Sequence, residues 1–490
     1  MANAQITGAR AAAPAFREGG GTGLQQLDVT SNEEESKTVS LVNSVGTFIY
    51  YESILQDAVR AQVTYTDTGN TIDKKTAMEG LPIVGQERVK LKFADNNDQE
   101  LELILYVNKV TPLVEDSRKS MVKLELSSRE YIWNEKVRVN KRFDGKISDH
   151  VKKLLEDPMY LGPTSKSKAV PGYQAKELDI EDTANKHNFI GNNKKVYYLI
   201  NWLARGAVPS PEANPKAKSG KGNSAGFFFF ETANKLHFKS IDALMNTKKN
   251  EPKKSILYND SPDGSSGDIP PGYDYKALEY SIDNKVNIQD KLKMGAYSTR
   301  LITFNPFNTY YEVVTPNAGN AKNAQDGDAP GNQENLELSG EKLPTLNAEF
   351  NVEGKGKEFT RTTYYILDNG TLPEGKGVGK AQQDAAGQVA KSKEENYKPG
   401  EVLNQGIMRM NQLFALKTSL TIPGDFSLHA GDAIYVDAPQ LKQDPKNDEV
   451  DKQVGGNYVI SDLAHYISHA HTLTKLTLVR DSFGRKAKAR

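Results

Sequence analysis

Three histidines crowd near the end of the chain, at His465, His469 and His471. On an extended strand His469 and His471 share one face, and His465 joins them only if no bulge intervenes. A metal site would need that shared face plus a carboxylate or an open water position, so polar turn or interface histidines are the default reading. Gly375-Lys376-Gly377-Val378-Gly379-Lys380 looks like a phosphate loop but fails the pattern, with Glu374 in place of the first glycine and Ala381 in place of the Ser or Thr. Asp95-Asn96-Asn97-Asp98-Gln99-Glu100 begins like a calcium loop, yet it lacks the glycine at the sixth position and reads as a hairpin turn. Lys216 to Lys221 is a basic, solvated linker. No nucleophile elbow is read, and no pair of carboxylates stands out by spacing. The sequence therefore offers no catalytic, cofactor-binding or metal-ligating residues, and no cofactor is expected.

The elements that would have to position any such group are mostly strands. From Leu416 to Phe483 the apolar side chains alternate, with Leu416, Thr418, Leu420 and Ile422 set against Lys417, Ser419 and Thr421. A turn at Pro423-Gly424-Asp425 follows, then Gly431-Asp432 leading into Ala433 to Val436. Gly455-Gly456 opens Asn457 to Ile460, and Leu473 to Asp481 closes the set. Period-two alternation bounded by Gly, Pro, Asn and Asp marks antiparallel strands with one buried face. The same order recurs near the other end: Gly85-Gln86-Glu87-Arg88 precedes Val89 to Phe93, Leu101 to Val107 follows, and Met121 to Glu130 ends in Arg129 beside an acid. We read two copies of one β-domain.

At 490 residues the chain is too long for one core. Its 63 basic and 63 acidic residues balance, so no global field points to nucleic acid, membrane or an acidic substrate. Cysteine is absent, which excludes disulfides, thiolate metal sites and cysteine nucleophiles. No apolar run approaches the ~20 residues needed to span a bilayer, and no secretory signal is read at the N-terminus.

Residues 1–37 read as a flexible Ala-, Gly- and Glu-rich arm, and 38–130 as the first β-domain. An α+β spacer covers 131–256, with a helix at Asp149 to Leu155 capped by Ser148 and a stronger one at Lys195 to Ala207. Within it Phe227-Phe228-Phe229-Phe230 reads as a strand buried on both faces, paired with Leu236 to Ile241. The second β-domain takes 257–315 and 401–483, opening with strands at Tyr275 to Ile282 and Gly295 to Phe304. Residues 316–400 are a low-complexity insertion with one strand, Thr360 to Leu367, and 484–490 a basic tail. Val402 to Leu416 is a helix candidate.

Three pieces of this sequence resemble the baseplate hub proteins of contractile-tailed, T-even-like phages, which are related to the hub portions of VgrG and of late-control tail proteins. They are Leu81 to Glu87 leading into an alternating strand; Val196 to Ala207 followed by Gly226 to Thr232 and Leu236 to Asp242; and Gly456 to Ile460, His465 and Thr472 to Ser482. Together they span most of residues 40–483. The arm and the insertion have no counterpart in the resemblance. What it implies is an α+β, β-rich fold, with two tube-like antiparallel β-barrel domains joined by a smaller α+β spacer domain. It further implies a non-enzymatic homotrimer whose six similar domains form a ring that adapts three-fold to six-fold symmetry. Such a hub meets the central spike protein, the tail tube or tube-initiator proteins, and tape-measure and baseplate wedge proteins. It initiates the tube and lines the channel through which DNA leaves. Its place is the tail baseplate of the virion, assembled in the bacterial host cytoplasm without stable membrane binding. Two other classes stand behind this one: a tail-associated cell-wall hydrolase, which needs an acid pair in a cleft, and a receptor- or glycan-binding tail protein using exposed aromatics such as Tyr310 and Tyr311.

Overall fold

The computed structural model describes residues 23–32, 37–95, 99–116, 118–210, 225–245, 250–258, 273–282, 287–295, 299–305, 309–314, 361–366, 399–414, 416–438, 454–468 and 471–480. The first unit is built from β1 (Leu24–Thr30), β2 (Thr38–Ser40), β3 (Val45–Ser53), β4 (Arg60–Asp67), a short helix α1 (Ala77–Gly80), β5 (Arg88–Ala94), β6 (Glu100–Glu115) and β7 (Ser120–Ser127). Alternation decides which face is buried. In β5, Val89, Leu91 and Phe93 are buried while Arg88, Lys90 and Lys92 stand on the other face. Lys90 and Lys92 reach Glu102 and Glu100 on β6 at 3.0 and 2.9 Å. Leu24 to Thr30 falls in the segment expected to be a flexible arm, yet it pairs with β5 and β2 and buries Leu24, Leu27 and Val29. Those three apolar side chains carry the reason: docked on β5 they join the main core of this unit.

The spacer begins with α2 (Arg129–Lys136) and continues through β8 (Arg142–Phe143), α3 (Ile147–Glu156), α4 (Ser165–Lys168), β9 (Glu177–Ile180), β10 (Phe189–Ile190), α5 (Val196–Ala204), β11 (Phe227–Glu231), β12 (Lys235–Ser240) and α6 (Ile241–Met245). Val196, Leu199, Ile200 and Leu203 put one apolar stripe of α5 into the spacer core. All five residues of β11 are buried, its two faces meeting different cores: Phe227 and Phe229 in the spacer, Phe228 and Phe230 toward the second unit. Ser148 does not cap α3, which starts one residue earlier; its hydroxyl donates instead to Asp182 at 2.9 Å.

The second unit comprises β13 (Ser255–Leu257), β14 (Tyr275–Lys276), β15 (Glu279–Ile282), then β19 (Leu416–Pro423), β20 (Ala433–Asp437), β21 (Gly456–Ser468) and β22 (Thr472–Arg480). Between these lie α7 (Ile288–Met294), β16 (Thr299–Asn305), β17 (Tyr310–Val314), β18 (Arg361–Ile366) and α8 (Pro399–Leu413). The strand expected at Gly295 to Phe304 thus does not enter the second unit. It becomes β16, the centre of a separate sheet in the order β17-β16-β18. Leu301 and Thr303 are buried on one face of that sheet, while Phe304, Tyr311, Val313, Tyr364 and Ile366 are exposed.

Five strands of each unit repeat in the same order, whereas the strands added at the end differ, β1 pairing antiparallel with β5 and β13 parallel with β20. In the first, β5-β6-β7-β4-β3 are neighbours in that order; in the second, β20-β21-β22-β19-β15 are. Even the irregularity repeats. Gln86 N–H donates to Val107 O and Val107 N–H to Glu87 O, at 2.6 and 2.9 Å; Gly431 N–H donates to Ile460 O and Ile460 N–H to Asp432 O, both at 2.9 Å. Gln86 and Gly431 hold matching left-handed φ of 73° and 87°. One residue later each long strand bulges, at Asn108 in β6 and Ser461 in β21.

Neither unit is a barrel, contrary to the expectation. Both belong to one fourteen-stranded open sheet, ordered β14-β13-β20-β21-β3-β4-β7-β6-β5-β1-β2, with β22, β19 and β15 continuing from the other edge of β21. The first unit would have to close through β3, whose outer edge is taken: Thr47 to Ser53 pair antiparallel with Ser468 to Asp462 of β21. β21 can do this because its two halves use one edge differently, the first pairing β20 and the second β3. A strand edge engaged by a neighbouring unit cannot also curl back onto its own.

Candidate functional site at the junction of the three units

A cluster of buried, perturbed polar groups lies where the first unit, the spacer and the second unit meet. β3 delivers Tyr50 and Glu52 to one face by its period of two. Glu52 is fully buried, and its carboxylate accepts from Tyr50 Oη at 2.8 Å, from the Ala233 N–H at 2.8 Å and from the Ala430 N–H at 2.9 Å. His429 Nδ1 stands 3.1 Å away. Burial alone would raise this carboxyl, but the His429 imidazolium and these hydrogen bonds outweigh it and hold it at about 2. The same pairing raises His429 against its own burial. Four donors from three units thus converge on one carboxylate.

Glu231 closes β11 on the same side. It accepts from the Val59 N–H at 2.9 Å and Ser128 Oγ at 2.8 Å, and pairs with Lys176. Burial raises its pKa, and the nearby Glu130 adds to this. On the second unit Asp425 takes the Ser427 N–H and Oγ at 3.0 and 2.6 Å and faces Lys254 at 3.3 Å. Asp95 reaches across from the first unit to accept the Phe426 N–H at 2.9 Å. This is the role of the acid read as a hairpin turn, which it also serves by accepting the Gln99 N–H at 2.9 Å.

His465 lies in the same seam. Its ring stacks on Tyr50 with centroids 6.0 Å apart and meets Phe426 edge-on at 4.6 Å, and Nδ1 is 3.0 Å from Thr474 Oγ1. Burial drives its pKa down to about 3. His471 is exposed in the β21–β22 turn, and His469 lies outside the described residues. His465 and His471 therefore do not share a site, because the strand carries His465 into the core and the turn carries His471 to solvent. Among the described residues no group of three His, Asp or Glu side chains could hold a metal ion, and no helix is long and apolar enough to cross a membrane. The glycine-rich loop at 375–380 and the basic loop at 216–221 lie outside the described residues.

The arrangement is built for holding, since every oxygen of Glu52 is already engaged by the protein. A cavity of about 80 Å³ lies nearby, lined by Tyr106, Arg129, Tyr173, Lys176 and Asn234, and is large enough for a few waters only. One match to the nucleophile-elbow pattern is missing from the sequence reading: Gly222-Asn223-Ser224-Ala225-Gly226. An elbow turns from a strand into a helix, whereas here a strand, β11, follows the motif. Its first three residues lie outside the described ones. The sequence reading also missed Glu52, His429 and Glu231. A lone acid inside Tyr50 to Leu55, and another directly after four phenylalanines, were the available signals.

No family model matches the chain, and no curated protein matches it. Among solved structures, it aligns with a tail protein of Neisseria meningitidis over 94% of this chain and 98% of that one, at 9% identity and a TM-score of 0.45. A 43 kDa tail protein of a Shewanella oneidensis prophage aligns over 94% and 100%, at 9% identity and 0.44. An E. coli component of the type VI secretion system aligns over 91% and 76%, at 9% identity and 0.37. The similarity is distant and runs through most of this chain in each case.

Proposed function

We propose that this chain is the structural, non-enzymatic hub subunit of a contractile phage tail baseplate. Three copies would place six β-units in a ring that connects a trimeric central spike to a hexameric tail tube, starts tube assembly and lines the path of the outgoing DNA. Tube or tube-initiator, tape-measure and wedge proteins are its further proposed neighbours, and the virion tail its location. The observation that carries this reading is the tandem pair of equivalent units set edge to edge in one sheet. Three chains with two equivalent units each supply six similar faces, the number that a step from three-fold to six-fold symmetry needs.

The sheet surface is compatible with a duct for a polyanion. On the outer face of the first unit Lys90 and Lys92 pair with Glu102 and Glu100, and Lys109 and Lys123 share Glu125, which weakens the hold of these cations on a passing phosphate. The test is the mass of the purified chain by light scattering, alone and with its spike and tube proteins. A trimer, alone or on the spike, that then accepts a tube ring is the expected result. A chain that stays monomeric with both partners present removes the reading.

A second reading attaches to the small β17-β16-β18 sheet, where Tyr311 and Tyr364 are 66% and 75% exposed. Aromatic faces of that kind stack on sugars. Binding of host glycans that is lost in Tyr364→Ala would favour a receptor-binding role.

A further inference from the structure

The second half of β21 (Asp462 to Ser468) has β22 on one edge and β3 on the other. By the shared bulge, its counterpart in the first unit is the second half of β6, Lys109 to Glu115. That segment pairs with β7 on one edge only; β5 stops at Tyr106, and no described strand takes the remaining edge. The counterpart of β3 is β15, because Phe48 pairs with Val63 on β4 as Tyr280 pairs with Leu420 on β19. Among the described strands β15 likewise pairs on one edge only, with β19.

Exposure marks the same gap. Ile467 and Phe48 are 2% and 0% exposed within the filled junction. At the corresponding free edges Leu113 and Val114 are 48% exposed, Leu278 is 45% and Ile282 is 43%. Val114 corresponds to Ile467 and Ile282 to Tyr50, both buried where the same junction is filled, so each free edge presents an apolar side chain at a position that the filled junction covers.

We infer that the free edge of β6 in one copy of this chain pairs antiparallel with the free edge of β15 in the next copy, remaking between chains the β21–β3 junction found within one. The filled junction sets His465 to Ser468 beside Tyr50 to Thr47. Carried over, it sets Pro112 to Glu115 beside Ile282 to Glu279 of the neighbouring copy. Pro112 has no N–H and leaves one rung open, so the join rests on its flanking residues and on the apolar side chains they bury. The contact is heterologous and must close on itself to stay finite. This inference rests on the trimeric reading above and adds which edges meet and in what register.

Because the chain has no cysteine, Leu113→Cys together with Ser281→Cys introduces a single thiol pair, the counterpart of Tyr466 opposite Ile49. Cross-strand neighbours at that spacing can form a disulfide. Mild oxidation of the full chain, with the spike protein present, is expected to give covalent dimers and trimers and nothing larger, reversed by reductant. Leu113→Cys with Met159→Cys, an exposed spacer position, is the control and should give neither. A second variant, Val114→Asp with Ile282→Asp, changes only side chains exposed in the single chain, so the monomer should melt as before. Its trimer should dissociate at a concentration at least about tenfold higher than the native one, since charges on an edge block strand addition. A trimer by mass that shows no cross-link and is indifferent to the aspartates overturns this inference and leaves the hub reading standing. Absence of any trimer overturns both.

Discussion

At the scale of single residues, buried histidines act as opposing pH sensors: His465 and His429 at the junction, and His187 within the spacer against Phe189 and Trp202. His465 and His187 are held down by burial, to about 3 and about 4, so the unfolded chain takes up those protons first. Their neutral burial therefore stabilises above the unfolded value of ~6.5 and is lost as pH falls below it, by about 2 kcal/mol each at pH 5. Glu52, held at about 2, contributes above its unfolded value and loses that contribution as pH falls toward 2. His429, raised, acts the other way: its share is complete below ~6.5 and is lost as pH rises through its folded value. Melting temperature should thus fall steeply below pH 6.5, and His465→Phe should flatten that acid arm whatever it does at neutral pH. Glu52→Gln strands His429 and should cost roughly 3–5 kcal/mol at pH 6, read from urea midpoints. None of these partnerships was legible beforehand. Glu52 and His429 are 377 positions apart, and one sequence holds no record of a contact at that separation.

At the scale of elements, most strands were legible because side chains alternate, and the four phenylalanines did mark a strand buried on both faces. The backbone edges were not. Which neighbour a strand takes depends on N–H and C=O groups that are the same for nearly every residue, so the open sheet and the separate β16 sheet left no compositional trace. The repeated bulge gives an element-level test. Gly431 needs its left-handed φ, and a Cβ there would stand 2.8 Å from Phe230 Cζ. Gly431→Ala should destabilise by about 1–3 kcal/mol. Gln86→Gly, at the matching position, relieves a strained side-chain-bearing residue and should change the urea midpoint by no more than ~1 kcal/mol in either direction.

At the scale of the whole molecule, the cores interlock across the units. Phe426 and Ile467 of the second unit belong to the first unit's core, and Ile54 joins a cluster made of spacer and second-unit residues. Deleting residues 455–490 should therefore cost more than its own strands: it bares the β3 edge and uncovers Phe48 and Tyr50. The truncated chain is expected to aggregate in light scattering, while a chain lacking only 484–490 should behave as the intact one. The edge-to-edge join also has a timetable. Ser53 Oγ donates at 2.6 Å to Asp462, 409 residues further along. At ~5–20 residues per second, roughly 20–80 s of synthesis separate the emergence of β3 from that of the strand that covers it. Throughout that interval every nascent chain on a polysome carries the same bare template beside identical ones. A message recoded to slow the ribosome between the two strands should lower the soluble yield without altering a single amino acid.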